Sequence, residues 1–315
     1  MSNMIKKLEN DGLLVNLEEL DLGKNYGVFL KIGIVSETIG FFINRNNSPT
    51  ELTSEEFEEL ERLVVPAQKW RGAERSYLLS ELRKTGDKII PKDYRRNMVE
   101  KKSLLKNPSS LIFGDSSTGT GSEAAGLASR MFYDWAYSYE PLAEISTRYQ
   151  HNTLSEEGTI LHEDNGTPKS NALYTTPYVR PGVKLIRYIS MENCSYEMLL
   201  LGLIAITGTS RYGARTAILG DNFRNKVIAI GFSKKEAPIS SFSTMMESWK
   251  SKEYDPEKLV YETMKKAYGN DLLEGEELKK VMGEVNETRS SREKLETIGQ
   301  QLIAKMEINW KEFFK

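Results

Sequence analysis

Within eighteen residues, 208–225, the chain holds three glycines (Gly208, Gly213, Gly220) and three arginines (Arg211, Arg215, Arg224). These types suit the capture of a phosphate. Arginine forks two N–H donors onto the anion, and glycine lets backbone amides approach it closely. The segment follows an apolar run, 196–206, that reads as a buried helix, and it precedes Lys226 to Phe232, which reads as a strand. It is therefore a helix-to-strand connection. A helix C-terminus carries partial negative charge, so the arginines and not the helix dipole must attract any anion here. Tyr212, whose ring can stack on a base or ribose, and Asn225 at the strand entrance complete the polar set. Without a ligand, the same residues make a polar turn with solvated arginines and a half-buried aromatic.

A second basic set lies upstream: Lys69, Arg71, Gly72 and Arg75, with Arg95 and Arg96 further along. The whole chain of 315 residues has a net charge of only -2, but that charge is unevenly spread. Residues 1–62 hold six Lys/Arg against twelve Asp/Glu, residues 66–106 hold twelve against five, and residues 180–235 hold nine against three. Two basic zones, each with an arginine-glycine motif, are the footprint expected for a polyanion partner. Solvated surface gives the same footprint when no partner exists.

Other sets hint at chemistry but lack its companions. Phe113-Gly114-Asp115-Ser116 has the form of an esterase nucleophile turn, yet Ser116 would need a histidine base held by a carboxylate. The chain offers only His151 and His162. Gly114 to Ser122 has the small residues of a phosphate-cradling loop without the Gly-Lys-Ser/Thr that nucleotide hydrolysis requires. His162-Glu163-Asp164 lacks a second histidine at ligand spacing and reads as a solvated loop. The sequence calls for no cofactor and no metal. The lone Cys194 rules out an internal disulfide and suits a reducing, cytoplasmic setting. No stretch of about 20 apolar residues suggests a membrane span, and Met1 to Lys7 leads into no signal-peptide core.

The elements that must position these residues read as a mixture of α and β. Residues 26–44 alternate around Val28, Leu30, Ile32 and Ile34, then Ile39, Phe41 and Ile43, which predicts one long strand or a hairpin. Leu52, Phe57, Leu60 and Leu63 fit one helical face with Thr53 or Ser54 as cap, and Glu55, Glu56, Glu58, Glu59 and Glu61 form its solvated side. Gly86 and Pro91 break the basic stretch 71–107, and 124–137 has no clear period. Residues 145–178 read as an outward arm, with turn signals at Ser155-Glu156-Glu157-Gly158 and Asp164-Asn165-Gly166-Thr167. After Trp249 the pattern is helical and charged, with Asp255 as cap and Pro256 at the first helical position. The order is compatible with a βαββαβ core carrying large insertions.

Four blocks in order carry a family resemblance. Arg211-Tyr212-Gly213-Ala214-Arg215-Thr216, Gly220 and Asn225 to Phe232 resemble the C-terminal signature of the backbone subunit of type I-D CRISPR effector complexes, a branch of the Cas-seven family among the RAMP proteins. Tyr178-Val179-Arg180-Pro181-Gly182-Val183 resembles its segment entering the second half of the palm. Gly121-Ser122-Glu123 with Ala136-Tyr137-Ser138 resembles a central segment, and Lys69 to Arg75 its early basic Arg-Gly turn. The blocks span roughly Lys69 to Ser243. Arg215 stands where relatives carry glutamine, and Lys235 to Phe242 is looser than the family's run.

The resemblance implies an α+β fold, a modified RRM-like (ferredoxin-like) palm with hairpin thumb, finger-like insertion and helical additions. On this reading residues 1–144 hold the first half of the palm, 145–178 the thumb-like excursion, 179–246 the second half with the Gly/Arg loop, and 247–315 the helical region. It further implies a non-enzymatic guide-RNA (crRNA) binder of a Cascade ribonucleoprotein. Copies of the chain would stand head to tail along the guide, beside other effector subunits, and present it to a target strand. Expected RNA contacts are Lys69, Arg71, Gly72, Arg75, Arg95, Arg96, Arg211, Tyr212, Gly213, Arg215 and Asn225. Two rivals stand beside it: an endonuclease using Asp87 or Asp93 on the bound target, and a generic single-strand-binding module.

Overall fold

The computed structural model describes residues 3–45, 48, 50–154, 162, 163, 167, 173–213 and 216–314. At its centre is β1 (Phe29–Thr38), the middle strand of a five-stranded antiparallel sheet. The sheet runs β12 (Leu272–Leu273), β11 (Phe223–Ser233), β1, β10 (Lys184–Glu192), β6 (Met131–Tyr133). The expected alternation is present, but β1 is buried along nearly its whole length. Both faces of the sheet are covered. Leu30, Ile32 and Ile34 point into the larger core with α2 (Ala67–Arg83), α5 (Tyr196–Gly208), α8 (Gly275–Ser290) and α9 (Arg292–Asn309). Val35, with Ile186, Tyr188 and Ala229 of the neighbouring strands, meets α6 (Ser241–Ser251) and α7 (Pro256–Tyr268). Gly33 is the reason α7 can lie so close: a Cβ there would stand 2.5 Å from Val260 Cγ1.

The fold is α+β. Within it the chain passes β1–α2–β6–β10–α5–β11, and these four strands lie in the order β11, β1, β10, β6. That order is compatible with the expected βαββαβ core. The helix expected from the apolar run after Ser195 is α5, apolar on every side because it is buried on every side. Asp255 caps α7 as its spacing predicts, its Oδ1 accepting from Lys258 N at 3.1 Å, with Pro256 following.

Residues 52–63 form no helix. They make a hairpin of β2 (Ser54–Phe57) and β3 (Leu60–Val65), which joins β7 (Ala136–Pro141) in a three-stranded sheet. Glu58 and Glu59 turn it with φ of 50° and 61°, the two-residue turn whose twist matches paired strands. The helical spacing of Leu52, Phe57, Leu60 and Leu63 is incidental: Leu52 and Leu63 are buried, Phe57 and Leu60 are not, and the β-branched Val64 and Val65 continue the buried end of β3. A second difference concerns Lys69 to Arg75. This segment lies within the first three turns of α2 and is not a turn, although the helix does stop before Gly86.

The stretch near residue 124, which has no clear period, is strand. β5 (Ala124–Leu127) pairs with β4 (Asp115–Thr118), and β6 follows. α1 (Asn3–Asn10) and α3 (Pro108–Phe113) close the larger core with Ile5, Leu8, Leu111 and Ile112. After α4 (Leu142–Ile145), β8 (Ser146–Asn152) and β9 (Leu173–Val179) form a separate two-stranded ribbon. The turn signals at 155–158 and 164–166 lie outside the described residues.

Candidate nucleic-acid interface

The connection between α5 and β11 is held from below by its own polar groups. Asn225 Nδ2 donates to the carbonyls of Ile206 (2.8 Å) and Thr209 (2.9 Å), which satisfies acceptors at the helix end. Asn222 clamps Tyr212: its Oδ1 accepts from Tyr212 N at 2.9 Å and its Nδ2 donates to Tyr212 O at 2.8 Å. Gly213 has φ +77°, and a Cβ there would come within 2.8 Å of the Ile43 carbonyl. Only glycine fits that corner.

The consequence is that adjacent residues face opposite ways. Arg211 points outward, its side chain 62% exposed, with Nε 3.1 Å from Asp221 Oδ1. Tyr212 points inward at 1% exposure and packs edge-on against Trp70 and Phe223. Its hydroxyl donates to Glu74 Oε1 (2.8 Å) and accepts from Asn225 Nδ2 (2.8 Å). A ring so placed cannot stack on a base, and the expectation for Tyr212 is corrected to a structural role. Asn225 is likewise occupied within the protein, its Oδ1 accepting from Ser36 Oγ and Arg187 Nη2. Arg215 lies outside the described residues.

Facing Arg211 is α2. Ala73, Ser76 and Tyr77 on the helix, with Thr209, Ser210, Arg211 and Asp221 on the connection, enclose a groove of about 460 Å³. Arg96 reaches its helix wall, its Nη1 donating to Gly72 O and Ser76 Oγ, each at 2.7 Å. Helical spacing divides the upstream basic set. Lys69, Gly72, Ala73 and Ser76 share one side of α2, and Arg71 and Arg75 share another. Arg75 is buried, with Nη2 2.5 Å from Asp115 Oδ2 and 2.8 Å from the Tyr94 hydroxyl. Arg71 donates to the Phe113 carbonyl, and burial, then the nearby Arg75, pulls its pKa down. Arg75 is thus corrected from a phosphate contact to an internal ion pair. Lys69 Nζ donates to Arg45 O at 3.1 Å; burial, then Arg45, lowers its pKa to about 8. Arg95 is exposed and folds back on the carbonyls of Lys92 (2.6 Å) and Tyr94 (3.0 Å).

Two features of the site had no signal in the sequence. Asp221 places a carboxylate inside the groove, where it competes with any anion for Arg211. Beneath the groove Glu74 and Arg187, both almost fully buried, pair at 2.8 Å. Tyr133 donates to the second Glu74 oxygen at 2.7 Å, and the Arg187 guanidinium lies 4.1 Å over Trp70. Burial works against the charge of Arg187, but Glu74 together with the Tyr212 and Tyr133 hydroxyls outweighs it and leaves the pKa raised. Glu74 sits in the middle of a basic stretch, where sequence counting treats it only as a charge to subtract.

Among the described residues no group of three or more His, Cys, Asp and Glu could hold a metal ion. Asp87 and Asp93 are exposed. Asp115, beside Ser116, is engaged by Arg75, Tyr94 and Ser110, and His151 shares a 2.9 Å hydrogen bond with the Tyr178 hydroxyl on the ribbon. Among the described residues no helix is long and apolar enough to cross a membrane.

A family model described as Csc2 Crispr matches residues 24–312. The crystal structure of Thermofilum pendens Csc2 is similar in fold, with a TM-score of 0.57 at 16% sequence identity over 100% of this chain and 97% of that one. A chain of a CRISPR RNA-guided surveillance complex in its pre-nicking state is similar with a TM-score of 0.51 at 12% identity, covering 78% of this chain and 90% of that one. At these identities the likeness to the two structures is one of fold. No curated protein matches the chain.

Proposed function

We propose, since this chain belongs to the Csc2 CRISPR family, that it is the guide-RNA-binding backbone subunit of a type I-D effector complex. Several copies would coat one guide and offer it to a target strand, next to the other effector subunits. The observation that carries this reading is the groove between α2 and the Gly/Arg connection. There two basic zones far apart in sequence face one another, with Arg211 on one wall and Arg96 on the other. Such a groove grips phosphates and riboses and leaves base edges free to pair, so it holds a guide without reading it. In this role the chain holds and orients RNA and performs no chemistry on it.

The test is the salt dependence of guide binding. Log affinity should fall with log salt with a slope of about -0.7 per phosphate neutralised. The Arg211→Ala/Arg215→Ala double variant should bind more weakly, with a slope flatter by about 0.7 for each phosphate no longer neutralised. Unchanged affinity and slope would remove this groove as the binding site.

A further inference from the structure

The turn Ala217–Leu219 presents Ile218 and Leu219 to solvent at 81% and 68% exposure. They form an apolar knob on a loop whose base is tightly hydrogen-bonded. The loop enters β11 at Phe223, opposite Thr38, and so stands at the C-terminal end of β1. At the other end of β1 is a cavity of about 410 Å³. Leu22, Leu127, Trp310 and Phe313 form its apolar side, Lys24 and Glu192 lie on its polar side, and Ala128 stands on its exposed rim. The floor is fixed: Arg130 donates to the carbonyls of Leu22 (2.8 Å) and Asn193 (3.1 Å), and Asn193 N donates to Val28 O next to the start of β1. Knob and socket thus lie at opposite ends of the same strand, about 30 Å apart at a strand's rise per residue.

We infer that the 217–219 knob of one copy seats in the Leu22–Trp310 socket of the next, and that this contact stacks copies along the strand direction of the central sheet. The inference rests on the reading that several copies share one guide, and it names the surfaces that join them. Two different patches related by a shift along one axis make a contact that does not close on itself, which is the geometry of a filament. Two exposed aliphatic side chains beside one another and a cavity with aromatic walls are the complementary halves of such a contact. Charge supports the pairing. Apart from the Arg211–Asp221 pair of the groove, the knob end carries exposed Arg180 and Arg224, and the socket end exposed Glu18, Glu19 and Asp21 against Lys24.

Two variants test it without touching the core. Ile218→Ser/Leu219→Ser removes the knob and leaves the charge near Arg211 unchanged, and Ala128→Trp fills the socket from its exposed rim. Sedimentation on a short guide with room for one copy should give affinities within about twofold of the unmodified chain. On a long guide, loading a second copy should require at least about tenfold more of either variant, because less apolar surface is buried between copies. An equimolar mixture of the two should recover pairs and nothing longer, since only one good knob and one good socket can then meet. Wild-type loading by the knob variant overturns the inference. So does a defect in only one of the two variants, which would give the socket another occupant. An unmodified chain that loads one copy on every guide removes the inference together with the backbone reading, and is distinguished by appearing before any variant is made.

Discussion

Arg211 and Tyr212 are neighbours with opposite surroundings, and substitution should separate them. Tyr212→Phe removes a hydroxyl that binds Glu74 and Asn225 inside the core. It should cost about 1–3 kcal/mol of stability, seen as a lower Tm, with guide affinity unchanged at temperatures where the protein is folded. A loss of affinity at unchanged Tm would put Tyr212 back in the interface. Lys69 gives a pH signature. Its folded pKa of about 8 lies below the ordinary 10.5, so between those values the unfolded chain holds more protons and this residue's contribution to stability rises with pH. Below pH 8 the lysine is charged in both states and that contribution stays at its constant, unfavourable value. A phosphate beside Lys69 would restore the ammonium. Guide binding between pH 8 and 9.5 should therefore take up a proton, and affinity should fall with rising pH. Lys69→Arg should abolish the dependence, which titration calorimetry in buffers of different ionisation enthalpy measures directly. The residue types were legible in the sequence, but their directions were not. Helical phase decides that Lys69 and Gly72 share the side of α2 that faces the groove while Arg75 meets Asp115. Burial decides that Tyr212 joins a core pair whose partners, Glu74 and Arg187, are 113 positions apart.

Among elements, those with a uniform pattern were readable. α5 is apolar all round, β11 holds a run of β-branched and small residues from Val227 to Gly231, and Asp255-Pro256 starts a helix by local chemistry alone. The hairpin at 54–65 was not, because its turn is written in glutamates where paired strands usually use Asn-Gly. Glu58 and Glu59 therefore sit in a backbone region that disfavours side chains with a Cβ. Glu59→Gly should stabilise the fold by about 1 kcal/mol, measured by chemical denaturation, and leave guide binding unchanged. A destabilised Glu59→Gly would mean that this turn is held by contacts of the glutamate itself. The sheet shows the same dependence on tertiary context. The alternating residues of β1 read as a strand but do not show that both its faces are closed, the second by α6 and α7, of which the glycine at position 33 admits α7.

In the molecule as a whole, the central sheet is enclosed by helices on both faces, so a guide bound as proposed would lie at its margins and not on it. The margin at the C-terminal end of β1 gathers Arg211, Arg96 and Lys69 with the 217–219 turn, and the opposite margin carries the cavity walled by Trp310 and Phe313. On the proposed reading the first margin is the guide-binding edge and the two ends join successive copies, so copies of the chain should coat a guide. The mass of the unmodified protein on single-stranded guides of increasing length, by mass photometry at low salt, tests this without any variant. Stepwise growth is expected, one further copy for each fixed increment of length. A complex that stays one-to-one on every guide, or no complex at all, would show that the chain is not a guide-coating backbone.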